Sequence, residues 1–449
     1  MKDLIKKIII FKLDILAKLY IWRFKPEIIA VTGNVGKTST KEAVALVLAK
    51  VKTIRYGRGN LNNEFGVPLT ILGDWSDDYY GAVNIIFFWC KVICISLIKL
   101  FTEKSYPKII VLEFGADRPG DIGRLARKYK PRIGVITAVG DIPVHVEYFS
   151  GPEAVAREKS KLISGLGVKD YAIINHDDPA VFDMRAKTKA KTMSYGFSEG
   201  STVRLSDLSL RLDENLKPAG IGFKVNYGPH TFVPFTIEGS LGKSQALAVG
   251  AATCIGWIYR MNLIEISQAL EGYHGPKGRL RLIGGIKNSV IIDDTYNSSP
   301  SSARLALDTI KDIDTLRQAQ GKITRKLVIL GDMLELGKYT EKAHREIGNL
   351  AGSIADILVT VGARAKFIAD SASNQMLARN IYSFETSDMA KEKVLELVED
   401  LSVGETGEDL ILVKGSQGMR MEKIVEKIMA EPRQKKELLV RQNKKWQAT

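Results

Sequence analysis
Residues 28–40 read IIAVTGNVGKTST. An apolar run with strand character stops at Thr32-Gly33, turns through Asn34-Val35-Gly36 and enters a helix at Lys37-Thr38. A turn of this kind aims backbone N–H groups and a helix N-terminus at one point, which suits a polyphosphate. Gly33, Asn34 and Gly36 shape the loop. Lys37 adds a mobile positive charge, Thr38 offers a hydroxyl of the type that ligates Mg²⁺, and Ser39 belongs to the same nucleotide-binding set. The usual spacing places glycine at position 31, where this chain has Val31. A glycine-rich turn that holds no nucleotide is the plainer alternative, but Gly-Lys-Thr between strand and helix rarely has another use.

Outward from this loop, strands and helices alternate. Strands are predicted at 28–32, 52–56, 109–114, 133–138 and 171–175, with helices near 37–50, 121–129 and 152–165. Such alternation implies a parallel sheet covered on both faces. Residues 201–237 change to short alternating runs with Gly and Pro, as in a small antiparallel sheet, and helical patterns return at 243–259 and 263–272. His274–Arg279 reads as a linker and 280–293 as a hairpin turning at Gly284-Gly285. A second α/β unit follows, with strands near 290–293, 326–331, 356–361, 381–384 and 409–414. The expected division is an N-terminal helix (1–27), a central domain (28–278), a second α/β domain (279–430) and a basic tail (431–449).

A chain of 449 residues is too long for one core. Its Lys and Arg exceed Asp and Glu by 14. Residues 1–30 carry seven basic and three acidic groups, and residues 431–449 carry six and two. Basic ends favour polyanions, although many are solvated tails. The three cysteines, Cys90, Cys94 and Cys254, form no zinc-type spacing and point to a reducing compartment. No signal-peptide cleavage site is evident. Residues 81–101 (GAVNIIFFWCKVICISLIKLF) reach roughly 31 Å as a helix, long enough to cross a bilayer. Lys91 lies in the middle, and the segment falls between two strands of one sheet, so a crossover helix is the expectation. Contact of this helix and of residues 3–24 with a membrane interface is the sharper alternative.

Several polar residues stand at strand ends. Glu113 closes the apolar run 109–112, on the side where parallel sheets bind ligands, and with Thr38 it suits a phosphate-bound Mg²⁺. His145 follows the strand 133–138 on the same side, though a surface histidine is the bland reading. Asn60, Asn62 and Asn63 satisfy turns or meet a polar substrate at the crevice rim. Asp293, Asp294, Tyr296 and Asn297 follow a strand of the second unit, suited to ribose or metal contacts or to capping the next helix. Lys159, on a helix, reads from the residues alone as a solvated charge.

Taken in order, the runs TGNVGKTSTKE, GNLNNEFGVPLTIL, VLEFGADRPGDI, HVEYFSGPEAVAREKSKL, IINHDDP, GRLRLI, IIDDTYNSSPSSARLAL, VILGDMLELG and LVKGSQGMRMEKIV resemble the Mur ligase family, from about residue 28 to 430. GNLNNEFGVPLT, DDTYNSSP and LGDMLELG resemble the branch that adds D-alanyl-D-alanine to UDP-N-acetylmuramoyl-tripeptide. The resemblance implies a P-loop-type, mostly parallel central domain with a small antiparallel sheet, then a Rossmann-like α/β domain. It implies ATP-dependent amide-bond formation through an acyl phosphate, in peptidoglycan-precursor synthesis. By motif, Lys37 holds ATP phosphates and Thr38, Glu113, His145 and Lys159 hold Mg²⁺, two ions being expected. Lys159 matches the lysine that is carbamylated in the family. Arg279 matches the junction arginine, Asp294 and Asn297 the nucleotide-facing turn, Gln245 an adenine-side amide, and Ser416 the incoming-substrate site. Asn60, Asn62 and Asn63 fall on the substrate side.

The departures from the family pattern also shape the expectations. Only about 27 residues precede the phosphate-loop strand, where the family has a domain that holds the UDP part of the acceptor. This sequence therefore suggests either another way of holding a UDP-sugar or a lipid-linked or otherwise different acceptor. Gln417 stands where relatives often have Arg, and two extra residues lie between Gly140 and His145. A monomeric cytoplasmic enzyme is expected, at the inner face of the membrane if the apolar helices touch lipid. A nucleotide-binding scaffold without catalysis is disfavoured by the joint presence of Lys37, Glu113, His145, Lys159 and Arg279. A nucleic-acid partner is not expected, since DDTYNSSP and LGDMLELG have no role there.

Overall fold
The run ahead of the phosphate loop becomes β1 (Glu27–Thr32), the strand on which the first half of the chain is organised. The computed structural model describes residues 2–82, 84–227, 231–319, 324–400, 408–443 and 446. After β1 come β2 (Ile54–Tyr56), β3 (Ile109–Glu113), β4 (Ile133–Ile136), β5 (Tyr171–Asn175), β6 (Lys191–Gly196), β7 (Val203–Leu212), β8 (Pro218–Tyr227) and β9 (Thr231–Glu238). These nine strands form one sheet in the order β2-β3-β1-β4-β5-β6-β7-β8-β9. Strands from β2 to β7 pair in parallel, whereas β7-β8 and β8-β9 are antiparallel. The antiparallel part anticipated at 201–237 thus extends the parallel sheet instead of standing apart from it. The joint is β6, which the sequence reading did not identify because KTMSYG begins with exposed polar residues.

Alternation along β1 explains the layers. Ile29 and Val31 point to one core, with the helices Lys37–Ala49 and Lys243–Ile258, while Ile28 and Ala30 point to the other. A buried parallel strand needs cover on both faces, and this one has it. The second core takes in the N-terminal helix Lys2–Phe24 through Leu13, Leu16, Ala17 and Tyr20. The apolar segment becomes the helix Ile85–Thr102, whose Phe88, Trp89, Val92 and Leu100 join that core. It connects β2 to β3, which are parallel neighbours with Ile54 opposite Ile109. A membrane span between them would separate two paired strands, so it is a crossover helix.

The second half contributes β10 (Arg281–Gly284), β11 (Val290–Asp294), β12 (Thr324–Gly331), β13 (Ile357–Val361), β14 (Ile381–Phe384) and β15 (Glu408–Lys414). They form a six-stranded sheet in the order β10-β11-β15-β12-β13-β14, with only the β10-β11 hairpin antiparallel. Within the stretch read as a basic tail, Leu439 is buried and Arg441 pairs with Glu422 at 2.8 Å. Its guanidinium also donates to the carbonyls of Thr295 and Tyr296, so this part of the tail is packed against the second sheet. Residues 444, 445 and 447–449 of that tail lie outside the described residues.

Candidate functional site
The phosphate loop is set by close backbone approach. Gly33 (φ 149°) lies so near β4 that a Cβ there would stand 1.9 Å from Thr137 Oγ1, and Gly36 (φ 85°) caps the following helix in the left-handed region. The Asn34 amide N–H donates to Ala138 O at 2.6 Å and its Nδ2 to Val139 O at 2.8 Å. Val31 is tolerated where glycine is usual because it is still inside β1, opposite Glu113. Lys37 Nζ donates to the carbonyls of Gly33 (2.9 Å) and Asn34 (3.2 Å), folding the ammonium over the loop. Burial lowers its pKa.

The register that places Val31 beside Glu113 brings the end of β3 to this loop. Thr38 Oγ1 donates to Glu113 Oε2 at 3.1 Å, Lys41 Nζ lies 3.2 Å from the same oxygen, and Asn62 Nδ2 donates to Oε1 at 3.1 Å. Burial alone would raise the Glu113 pKa, but the charges of Lys41 and Lys37 and the Asn62 bond prevail and hold it low. A hydroxyl beside an ionised carboxylate is a fitting partial ligand set for Mg²⁺, which keeps waters and phosphate oxygens for the remaining positions. Among the described residues no three His, Cys, Asp or Glu side chains are grouped as an all-protein metal cage.

Lys159 lies on the helix Pro152–Ser164 and is buried. Desolvation, helped by the charge of Lys37, lowers its pKa to about 7. The solvated-charge reading of this residue is therefore wrong. Its neighbour Glu158 accepts N–H bonds from Gly120 (2.9 Å) and Ile122 (2.9 Å), tying this helix to the start of the helix Asp121–Tyr129. His145, in the left-handed region at φ 65°, reaches across to the second sheet's unit. Its Nδ1 is 2.6 Å from Glu335 Oε2, an ion-pair distance without hydrogen-bond alignment, and its Nε2 is 3.8 Å from Asp117 Oδ1.

Asn34, Lys37, Asn60, Asn62, Asn63, Glu113, His145 and Lys159 from the first half line one cleft of about 420 Å³. Arg279, Asn297 and Ser416 line it from the second. The Arg279 guanidinium stacks 4.1 Å from the centroid of Tyr296, and Ser416 Oγ accepts the Leu334 N–H at 2.9 Å. Other candidate side chains stand behind this lining. Thr38 meets Glu113, as described, and Ser39 is buried with its carbonyl accepting from Tyr273 Oη at 3.1 Å. Gln245 is buried, with Nε2 donating to Arg279 O (3.0 Å) and Oε1 accepting from Tyr273 Oη (3.0 Å), so its amide anchors the junction. Asp294 is buried in an ion pair with Lys414 at 2.6 Å.

Residues that the sequence reading did not select also shape the site. Lys41 could have been noticed one helical turn beyond Lys37, and Glu335 lies within the quoted run VILGDMLELG. Lys414 lies within another quoted run, but nothing local marked it. Asp117 and Trp446 also line the cleft.

Comparisons with known proteins bear on the family and the fold. The family model described as Mur ligase middle domain matches residues 94–230, and the one described as Mur ligase, glutamate ligase domain, matches residues 278–417. The chain is 29% identical over 420 residues to UDP-N-acetylmuramoyl-tripeptide--D-alanyl-D-alanine ligase of Bacillus subtilis, covering 93% of this chain and 79% of that protein. A crystal structure of MurF from Acinetobacter baumannii is similar with a TM-score of 0.73 at 25% identity, covering 92% of this chain and 79% of that one. The MurF ligase of Thermotoga maritima in complex with ADP shares the fold with a TM-score of 0.71 at 23% identity, covering 93% of this chain and 83% of that one.

Proposed function
The chain belongs to the Mur ligase family of ATP-dependent amide-bond-forming ligases, and from that premise we propose that it adds D-alanyl-D-alanine to a UDP-N-acetylmuramoyl-tripeptide-type acceptor in peptidoglycan-precursor synthesis. One observation carries the reading: Lys37, Glu113, His145 and Lys159 from one half and Arg279, Asn297 and Ser416 from the other line a single cleft. ATP transfers its γ-phosphoryl to the acceptor's terminal carboxylate and leaves ADP. The dipeptide amine then attacks the acyl phosphate carbonyl, forming the C–N bond as the C–O bond to phosphate breaks, and the amine's surplus proton passes to solvent. The protein's part is to position the reactants and neutralise charge. Lys37 and the loop amides receive the phosphates, and Arg279 on its Tyr296 platform reaches the nucleotide. Asn60, Asn62, Asn63 and Ser416 orient the two peptides. Thr38, Glu113, His145 and a carbamylated Lys159 would hold Mg²⁺, which when bound offsets the negative charge of the transferring phosphoryl group.

Carbamylation needs a neutral amine, because only the free lone pair attacks CO₂. The lowered pKa of Lys159, about 7, supports that modification by keeping a large share of the amine neutral near neutral pH. The reaction belongs in the cytoplasm, with domains meeting near residue 278. A second reading, a lipid-linked acceptor, is favoured by the N-terminal helix. Lys6 Nζ sits 3.2 Å from Glu64, the residue after the cleft-lining Asn63, so an apolar helix ends at the cleft rim. The test is phosphate release with ATP, D-alanyl-D-alanine and UDP-N-acetylmuramoyl-tripeptide, followed by product mass. Dipeptide-dependent turnover with one added dipeptide is expected, and a folded protein without it refutes the first reading.

A further inference from the structure
The N-terminal helix has two apolar faces, and the core uses one. Leu13, Leu16, Ala17 and Tyr20 are buried, while Leu4, Ile8, Phe11, Ile15, Leu19 and Trp22 are exposed. At 100° per residue these six form one stripe on the side opposite the buried set. Lys7 and Lys18 border the stripe on one flank, and Lys12 and Arg23 border it on the other. All four are exposed. Among the described residues, Lys7, Lys12 and Lys18 have no acidic partner.

The helix Ile85–Thr102 lies alongside. Tyr20 Oη donates to Ser96 O at 2.8 Å and Arg23 to Phe101 O at 3.4 Å. Its exposed stripe is Phe87, Cys90, Cys94, Ile98 and Phe101, which carries no charge. Phe87 is 70% exposed, Phe101 73% and Trp22 75%. Both helices bury their inner faces in the same core, so both outer stripes look away from the same side of the sheet.

We propose that this two-helix face is a docking surface for the interface of an anionic lipid bilayer, on which the protein lies without crossing. The apolar stripe with basic flanks is the pattern of an interfacial helix, its lysines reaching phosphates while rings enter the acyl boundary. Tryptophan at such a boundary has an apolar body and a polar N–H to place. Of the acids against these helices, Asp14 is held by Lys128 and Tyr129, Glu64 by Lys6 and Asp78 by Lys91, while Glu103 follows the far end of the second helix. Pairing with a second copy would set the lysine flanks against each other, so charge favours lipid. Because β2 and β3 flank the helix Ile85–Thr102 in one sheet, the contact is one-sided. This surface holds whichever acceptor the cleft takes.

The test is flotation of the full chain with vesicles of phosphatidylcholine alone or mixed equally with phosphatidylglycerol, alongside sedimentation in solution. Binding to the anionic vesicles is expected, with Phe11→Glu/Trp22→Glu or Phe87→Glu/Phe101→Glu each weakening it roughly tenfold or more. Lys7→Gln or Lys18→Gln should weaken it about fivefold. Quenching of the wild-type fluorescence by lipids with brominated acyl chains should shrink in Trp22→Phe, a conservative change that spares the fold. No flotation of folded protein with anionic vesicles overturns the proposal, as does quenching that Trp22→Phe leaves unchanged. A dimer that the glutamate variants dissolve, with no flotation, also overturns it and assigns the face to a second copy. Turnover of soluble substrates is measured in parallel, so loss of docking is read separately from loss of ligation.

Discussion

Each sheet ends in a buried carboxylate–lysine pair, yet the two pairs do different things. At the end of β3, Glu113 meets Lys41 at 3.2 Å, and at the end of β11, Asp294 meets Lys414 at 2.6 Å. Glu113 lines the cleft, and its remaining partners are a hydroxyl and an amide, which a cation and its waters can replace. Its pKa is held low, against burial, by surrounding positive charge. Asp294 stands behind the lining, and Lys414 spends a second bond on Asn297 O at 3.0 Å. Burial raises the Asp294 pKa and lowers that of Lys414, so this pair works against its own desolvation. The difference teaches that a buried acid at a strand end is available to a ligand only where its partners can be exchanged. The second pair is a strut that sets the turn carrying Asn297 to the cleft.

The sharpest break of the comparison is on the exchangeable side. Lys37→Ala removes the ammonium folded over the loop without touching a strut. Turnover should fall by about a thousandfold or more, with an unfolding midpoint close to wild type. A large drop in midpoint would show that the loop is itself a strut. On the other side, Lys414→Met leaves Asp294 buried without its counter-charge. Stability in urea should fall by about 3–5 kcal/mol, and the double change Asp294→Leu/Lys414→Met should recover much of it. If the single variant denatures at the wild-type urea concentration, the pair is no strut.

Lys159 sharpens the contrast through pH. Its pKa, lowered to about 7, means that the neutral amine is abundant above that value and scarce below it. At fixed CO₂ pressure the neutral amine falls about tenfold per unit well below pH 7, and activity that depends on the carbamate should fall at least as steeply, because carbamate formation releases a further proton. In Lys159→Ala, short carboxylic acids should restore part of the activity, whereas an alkylamine should not. Rescue by the amine would mean that the residue acts as a cation.

How far the sequence carried these distinctions follows from what is local. The phosphate loop was legible because its glycines, lysine and threonine are contiguous and their geometry is fixed by their neighbours. Glu113 was legible because a strand's carboxyl end is a position, readable from an apolar run followed by an acid. The family, the α/β class and the ligase chemistry followed from such runs in order. Lys159 was illegible from its residues, since EAVAREKSKLI shows nothing of what its helix packs against, and only the resemblance singled it out. The strut of Asp294 and Lys414 joins residues 120 apart in the chain, and the contact of His145 with Glu335 joins the two halves. The first pairing is decided by which strands become neighbours in one sheet, and the second by how the two halves meet. The packed segment around Arg441 was misread because a basic run looks solvated until Glu422 is placed beside it.

The smallest expected effect probes how exchangeable the partners of Glu113 are. Asn62 donates to Glu113 Oε1 at 3.1 Å and to Asn60 Oδ1 at 2.6 Å. It is one of the groups that keep the carboxyl pKa low. A carboxylate with a depressed folded pKa adds stability that is present above its unfolded value and lost as pH falls through the folded one. Asn62→Ala removes one contribution and leaves Lys41 and Lys37 in place, so the loss should be smaller and should be complete at a higher pH. The acid limb of the rate profile should move the same way, with turnover at neutral pH reduced only a few-fold. Lys41→Met takes away the charge that does most to hold the carboxylate ionised and should move that limb further in the same direction. If Asn62→Ala moved it as far as Lys41→Met, the amide would be holding the carboxylate as a strut does, and the two sheet ends would be alike after all.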